Sequence, residues 1–146
     1  MMISAQRKKI PGNSGQAIVE FALVSMFFFA LIFGVVEFGR YWYYSTHLSN
    51  SVRAAARYGA VLRDPATIVS STETYAVARI DTYLPPAGLT SVATTILPSP
   101  NEGTYGETIV VSATYSFDVL AGTIIPGFSG TIPITRTASI TYEGGS

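Results

Sequence analysis

Between Phe21 and Val36 the chain reads FALVSMFFFALIFGVV, without one charged side chain. No other feature limits the possible folds so strongly. Counted back to Gln16, the run is broken only by Glu20 and reaches the roughly 20 residues that a helix needs to cross the hydrocarbon of a bilayer. The rest of the composition agrees. Charged residues make up 12% of the chain and hydrophobic ones 48%, against about 25% charged in ordinary soluble domains. Much of the surface is therefore built for something other than water.

Charge orients the span. Arg7, Lys8 and Lys9 stand before Gly15 with no acid beside them. Such a cluster keeps its side in the cytoplasm, which predicts a single pass with the N-terminus inside and the C-terminal part outside. The chain has nine basic and nine acidic side chains in all. Setting those three aside leaves six basic against nine acidic, so no basic patch points to nucleic acid. A removable secretory signal would need a shorter apolar core and a small-x-small site soon after it. The residues that follow Val36 are Glu37-Phe38-Gly39-Arg40-Tyr41-Trp42, and Ala54-Ala55-Ala56 comes too late, so the span is expected to stay. Phe38, Tyr41, Trp42, Tyr43 and Tyr44 suit an outer membrane interface. Helix packing is the plainer reading of the same cluster, and the two are compatible.

Beyond the span the helix is expected to continue. Leu48, Val52, Ala55, Gly59 and Leu62 form one apolar stripe, with Asn50, Arg53 and Arg57 off it. The stripe is expected to pack on the chain's own sheet. Asp64-Pro65 restarts a helix, with Asp as N-cap and Pro in the first position. Val69, Ala76, Ile80 and Tyr83 are read as its inner face, and Leu84-Pro85-Pro86 as its stop. The period then changes to two. Val92, Thr94 and Ile96 mark a modest strand. Ile109, Val111, Ala113, Tyr115 and Phe117 mark a strong one, and Ile132, Ile134, Ala138, Ile140 and Tyr142 a third. Pro133 places its end of that strand at an edge or a strand start. Arg136 falls on the apolar face, where an ion pair with Glu107 or Asp118, or an exit at the sheet margin, would account for it. The loop Asp118 to Gly130, with Leu120, Ile124, Ile125 and Phe128, is too apolar for a plain solvent loop; it covers the sheet or touches another subunit.

Catalytic patterns are missing. There is no cysteine and His47 is the one histidine, which excludes thiolate and His-rich metal sites. No Gly-rich phosphate loop, GxSxG or HExxH occurs. Glu20 and Glu37 lie at opposite ends of the span, roughly 25 Å apart at 1.5 Å per residue, too far for an acid/base pair. Neither an enzyme nor a cofactor is expected. Glu20 still needs a reason, since a carboxylate in hydrocarbon must find a partner, a job or a path back to the headgroups.

Several elements together resemble one family. They are a basic leader, Gly15, Gln16-Ala17-Ile18-Val19, Glu20-Phe21 and an immediate span. After the span come Val36-Glu37-Phe38-Gly39-Arg40 and the "AR…ARY" helix Val52-Arg53-Ala54-Ala55-Ala56-Arg57-Tyr58. The pattern resembles the TadE-like pseudopilins of tight-adherence (type IVb) pilus systems, well from Gly15 to about Leu62 and more loosely over the β-rich tail. Relatives often carry a proline in the first half of the span, where this chain has Ser25-Met26.

The resemblance implies a pilin-like α+β fold. A long N-terminal helix, membrane-spanning in its first half, and a short second helix would pack on a small antiparallel β-sheet. It divides the chain into a leader at 1–15 that is removed, a transmembrane helix at 16–39, its continuation at 40–63 and an extracytoplasmic domain at 64–146. It implies cleavage by prepilin peptidase between Gly15 and Gln16. Glu20 and Phe21 would serve processing and assembly, the Glu20 carboxylate pairing with the new α-amino group of a neighbouring subunit. Arg7, Lys8 and Lys9 are then the leader charges, and Glu37 and Arg40 the motif at the outer helix end. The implied partners are the peptidase, other pilin or pseudopilin subunits and the lipid of the cytoplasmic membrane, with possible incorporation into an adhesive surface pilus. The role is that of a minor subunit in assembly of the pilus or a related secretion system. The alternatives are a structural, filament-forming pilin and a single-span membrane-anchored binding module.

Overall fold

The structure, a computed structural model, describes residues 14–62, 64–97, 107–120 and 130–141. The leader charges Arg7, Lys8 and Lys9, the loop residues Ile124, Ile125 and Phe128, and Tyr142 lie outside the described residues. The expected α+β class is the one observed. A long helix α1 (Ser14–Ala60) is followed by a 3-10 turn (Pro65–Thr67), helix α2 (Ile68–Asp81) and a second 3-10 turn (Pro86–Gly88). Three antiparallel strands follow, β1 (Leu89–Leu97), β2 (Thr108–Asp118) and β3 (Thr131–Thr141), in the spatial order β1-β2-β3. The chain divides into two compact units, Met1–Val36 and Glu37–Ser146.

In the first unit no proline interrupts the helix, and the side chains are apolar on every face. Phe21, Val24, Met26, Phe27 and Leu31 are all exposed, and none of the most apolar window is buried. A helix apolar all round belongs in a protein core or a bilayer. Nothing among the described residues buries this one, and from Gly15 to Val36 it is roughly 33 Å long, enough for a ~30 Å hydrocarbon layer.

The second unit has its own core, and the expected stripe is its spine. Leu48, Val52 and Ala55 are fully buried, joined by Ala56 and Ala60, while Asn50, Arg53 and Arg57 are exposed. Opposite them lie Ile109, Val111, Ala113, Tyr115 and Phe117, the buried alternate residues of β2. Helix and strand run antiparallel. Tyr41 and Tyr44 pack edge-on against Phe117, with ring centres 5.9 and 5.2 Å away. At the other end Gly59 faces Ile109, whose Cδ1 lies 3.5 Å from where a Gly59 Cβ would sit. The lengths match: Tyr41 to Gly59 rises about 27 Å as helix, and Phe117 to Ile109 spans about 27 Å as strand.

The helix closes by tightening. The Val61 and Leu62 N–H groups donate to Tyr58 O and Gly59 O, each at 3.3 Å, which satisfies two otherwise orphaned carbonyls. Asp64 then starts the second helical segment as expected. Its backbone is extended, with φ −102° and ψ 104°, and its carboxylate accepts from the Ala66 N–H at 3.1 Å. The inner face of α2 differs from the expectation. It is Ile68, Thr72, Ala76 and Ile80 that are buried; Val69 only flanks the core, and Tyr83 lies beyond the helix and is exposed. Thr72 sits where Gly59 comes close, and an apolar-only reading passed it over.

All three strands lie where the period of two put them. Ile96 of β1 is buried, and the β1–β2 register slips once, between Leu89 and Ser91. On β3, Ile134 is buried, Ala138 and Ile140 are half-buried, and Ile132 is exposed. As expected, Pro133 lies near the start of an edge strand. Arg136 does not make the expected ion pair: its guanidinium donates to the Ser45 hydroxyl on α1 and to Thr135 O. The two expected partners are out of reach along the strand: Glu107 stands just before β2 and Asp118 at its end, whereas Arg136 pairs opposite Ala113 near its middle.

Gly59 has a packing reason. A Cβ there would lie 2.5 Å from the buried Thr72 Oγ1, a hydroxyl with no hydrogen-bond partner. Gly59→Ala should destabilise the detergent-solubilised protein by about 1–3 kcal/mol in denaturant unfolding. Adding Thr72→Ala should restore part of the loss, because it removes the colliding, unpaired hydroxyl. A second test uses Tyr115, whose hydroxyl donates to Pro85 O at 2.9 Å. Burial raises its pKa, with Tyr44 and Asp118 adding to the rise. Because the folded protein holds the neutral phenol more firmly than the unfolded chain does, that stability is complete below pH ~10 and is lost as pH rises through the folded-state value. An alkaline unfolding titration should show this loss, and Tyr115→Phe should lack it.

Candidate functional site

The candidate residues fall into two groups, one in each unit. In the first group, α1 begins at Ser14, so the Gly15–Gln16 peptide bond lies in its first turn. A Cβ on Gly15 would meet no atom within 4 Å. Nothing in the packing of the described residues requires glycine there. Five residues after Gly15, Glu20 is exposed, and its Oε1 accepts from Gln16 Nε2 at 3.0 Å, a bond between successive turns of one helix face. Phe21 beside it is 74% exposed. Glu20 therefore has one neutral donor from the described chain and no cation.

Magnitudes show what one carboxylate means for this helix. It costs about 2.5–3.5 kcal/mol at a bilayer centre, and less at the lip of the run. Each phenylalanine moved out of water returns about 1.5–3 kcal/mol, and Phe21, Phe27, Phe28, Phe29 and Phe33 are all exposed. The apolar side outweighs the charge several times over.

Glu37 is in a different position, although it is the same residue type at the other end of the same run. It is mostly covered and makes an i,i+3 ion pair with Arg40, the closest N–O distance being 3.0 Å. Its Oε1 also accepts from the Leu120 N–H at 3.1 Å, just past the end of β2. Arg40 lies over the Phe117 ring, 5.0 Å from its centre, within the reach of a cation–π contact. The expected pair Glu37 and Arg40 thus fastens one end of the helix–sheet unit. The partners Leu120 and Phe117 had no local signal in the sequence, since they lie about eighty residues away in the chain.

The aromatic cluster splits by helical face. Tyr41 and Tyr44 pack on β2, whereas Phe38, Trp42 and Tyr43 stay exposed. The Phe38 and Trp42 rings lie 6.3 Å apart on the outward side. His47 sits between the rings of Tyr43 and Tyr83, at 4.3 and 4.8 Å. Among the described residues no group of three His, Asp or Glu side chains gathers that could hold a metal ion.

Residues 15–57 match the family model described as TadE-like protein. The resemblance read from Gly15, Glu20-Phe21, the span and the alanine-rich helix is thereby borne out over that stretch. No curated protein and no solved structure matches the chain.

The Glu37 clasp makes a prediction. Glu37→Ala should remove the carboxylate to which both the Leu120 N–H and the Arg40 guanidinium donate. Amide exchange at Leu120 should speed up, while Ile109 and Val111, in the middle of the core, keep their protection. Unchanged exchange at Leu120 would remove the fastening role.

Proposed function

We propose that this chain, TadE-like over residues 15–57, is a pseudopilin, processed by prepilin peptidase between Gly15 and Gln16. In this reading it is a minor subunit in the assembly of a tight-adherence pilus or a related secretion machine. It acts by binding and not by catalysis, and its partners are the peptidase, the lipid of the cytoplasmic membrane and other pilin-like subunits. The leader at 1–15 stays in the cytoplasm, the helix spans from 16 to about 39 and continues to about 63, and the domain at 64–146 lies outside.

One observation carries the reading. The family match begins at Gly15, at the head of an apolar run of which nothing is buried among the described residues. Lipid would cover that helix first, and neighbouring subunits after assembly. The free space around Gly15 supports a glycine kept for an outside partner such as a peptidase cleft. Glu20, which meets no cation among the described residues, supports pairing with the α-amino group of a neighbour, since two charges that satisfy each other are far cheaper to bury than one. The exposed rings of Phe38 and Trp42 suit the outer interface. The three-stranded domain favours a minor subunit over the main filament subunit, because major subunits of this pilus class are expected to be little more than the helix.

Intact-mass and N-terminal analysis of the protein from cells with an active prepilin peptidase tests this directly. The expected product begins at Gln16, and a bulky replacement of Gly15 should prevent its formation. An uncut chain would favour the membrane-anchored binding module instead. Glu20→Gln separates assembly from processing: it should be inserted and cut, yet co-purify poorly with other pilus subunits. Assembly equal to wild type would remove the ion-pair role.

A further inference from the structure

The two edges of the sheet are finished differently. At β1, helix α2 lies alongside, and Glu73 Oε1 accepts from the Thr94 backbone N–H at 2.8 Å. A side chain there stands in for the missing neighbour strand. At the other edge, β3, no further strand pairs among the described residues. Protein edges are commonly blunted by lysine, proline or a bulge. Pro133 guards only the start of β3. From Thr135 to Thr141 there is no proline, no lysine and no slip in the register with β2. The one charge in that stretch, Arg136, is drawn onto the α1 side by Ser45.

Beside this open edge α1 presents Arg53 and Arg57, one turn apart and both exposed. Neither makes an ion pair among the described residues. With Thr137, Ser139 and Ile140 they line a groove of about 390 Å³. In a chain whose remainder after the leader is acidic on balance, this is a local reversal of sign.

We propose that the β3 edge and the Arg53–Arg57 pair form a docking site for an extended, acidic segment of another protein, added as a fourth strand. Backbone pairing supplies the affinity of such an addition, and side chains supply its selectivity. The spacing favours one pattern. Helix residues four apart have Cβ atoms about 5–6 Å apart, and strand residues two apart lie about 6.6–6.8 Å apart on one face. The segment is therefore one with carboxylates at i and i+2. A second copy of this chain is a poor occupant: its β3 would bring Arg136 and no acid, setting like charge against like, and its β1 edge is already covered. The site does not depend on processing at Gly15.

The test uses the full chain in detergent micelles and a capped, fluorescent nine-residue peptide of alternating Thr and Val with Glu at two positions separated by one residue. The peptide should bind, and reversing both arginines (Arg53→Glu with Arg57→Glu) should weaken it about tenfold or more. The same peptide with Lys for Glu should then bind the reversed chain. N-methyl groups along one backbone edge of the peptide should abolish binding, and along the other edge should be tolerated. If both methylated series bind alike, or a scrambled peptide of the same charge binds as well, the interaction is plain charge attraction and strand addition is wrong. If the chain alone dimerises through this edge and the reversal breaks the dimer, the occupant is a second copy and the proposal fails.

Discussion

The outer unit depends on one seam, where the inward face of α1 meets the inward face of β2. The helix offers Leu48, Val52, Ala55 and Gly59, with Ala56 and Ala60 beside them, and the strand offers Ile109, Val111, Ala113, Tyr115 and Phe117. The helix side chains shrink toward its C-terminal end, which lets α2 come close at Gly59 and Thr72. They grow toward the other end, where Tyr41, Tyr44 and Phe117 fill the space with rings. Remaining features attach to this seam. β1 and β3 pair on either side of β2, α2 rests against β1, and the Glu37–Arg40 pair fastens the aromatic end.

Glu20 and Glu37 show how far the fold alone can account for a charge. Glu37 receives a guanidinium and a backbone N–H from its own chain. Glu20 receives a side-chain amide from the preceding turn. Two carboxylates that flank one apolar run are therefore solved by different means. One is a structural fastener. The other is held, among the described residues, by one neutral amide alone.

Much of this was legible in the sequence because it rests on periodicity. The stripe at Leu48, Val52, Ala55 and Gly59 and the alternation at Ile109 to Phe117 are local patterns, and local patterns survive folding. The inner face of α2 was misread because Thr72 is polar and Ile68 follows directly on the Pro65–Thr67 turn. The i, i+4 row through Ile68, Thr72, Ala76 and Ile80 becomes evident only once Gly59 is seen to need a small neighbour. Partners distant in the chain left no trace. Arg136 could be placed on the inner face, but Ser45 could not be named as its acceptor, nor Glu73 as the cover for Thr94. Of the candidate site, the residues were legible in order and spacing. That Glu37 is tied to the far end of β2, besides its local pair with Arg40, depended on where Leu120 comes to lie.

The Val119 N–H donates to Gly130 O at 3.3 Å, directly beyond the Asp118–Thr131 pair that begins the β2–β3 ladder. The two ends of the intervening loop are thus tied together by the ladder itself, whatever lies between them. The pairing of β2 with β3 is therefore set before the connection begins and resumes where it ends. That makes the connection a place for an experimenter to graft an epitope tag, with the seam beneath held by the ladder on either side.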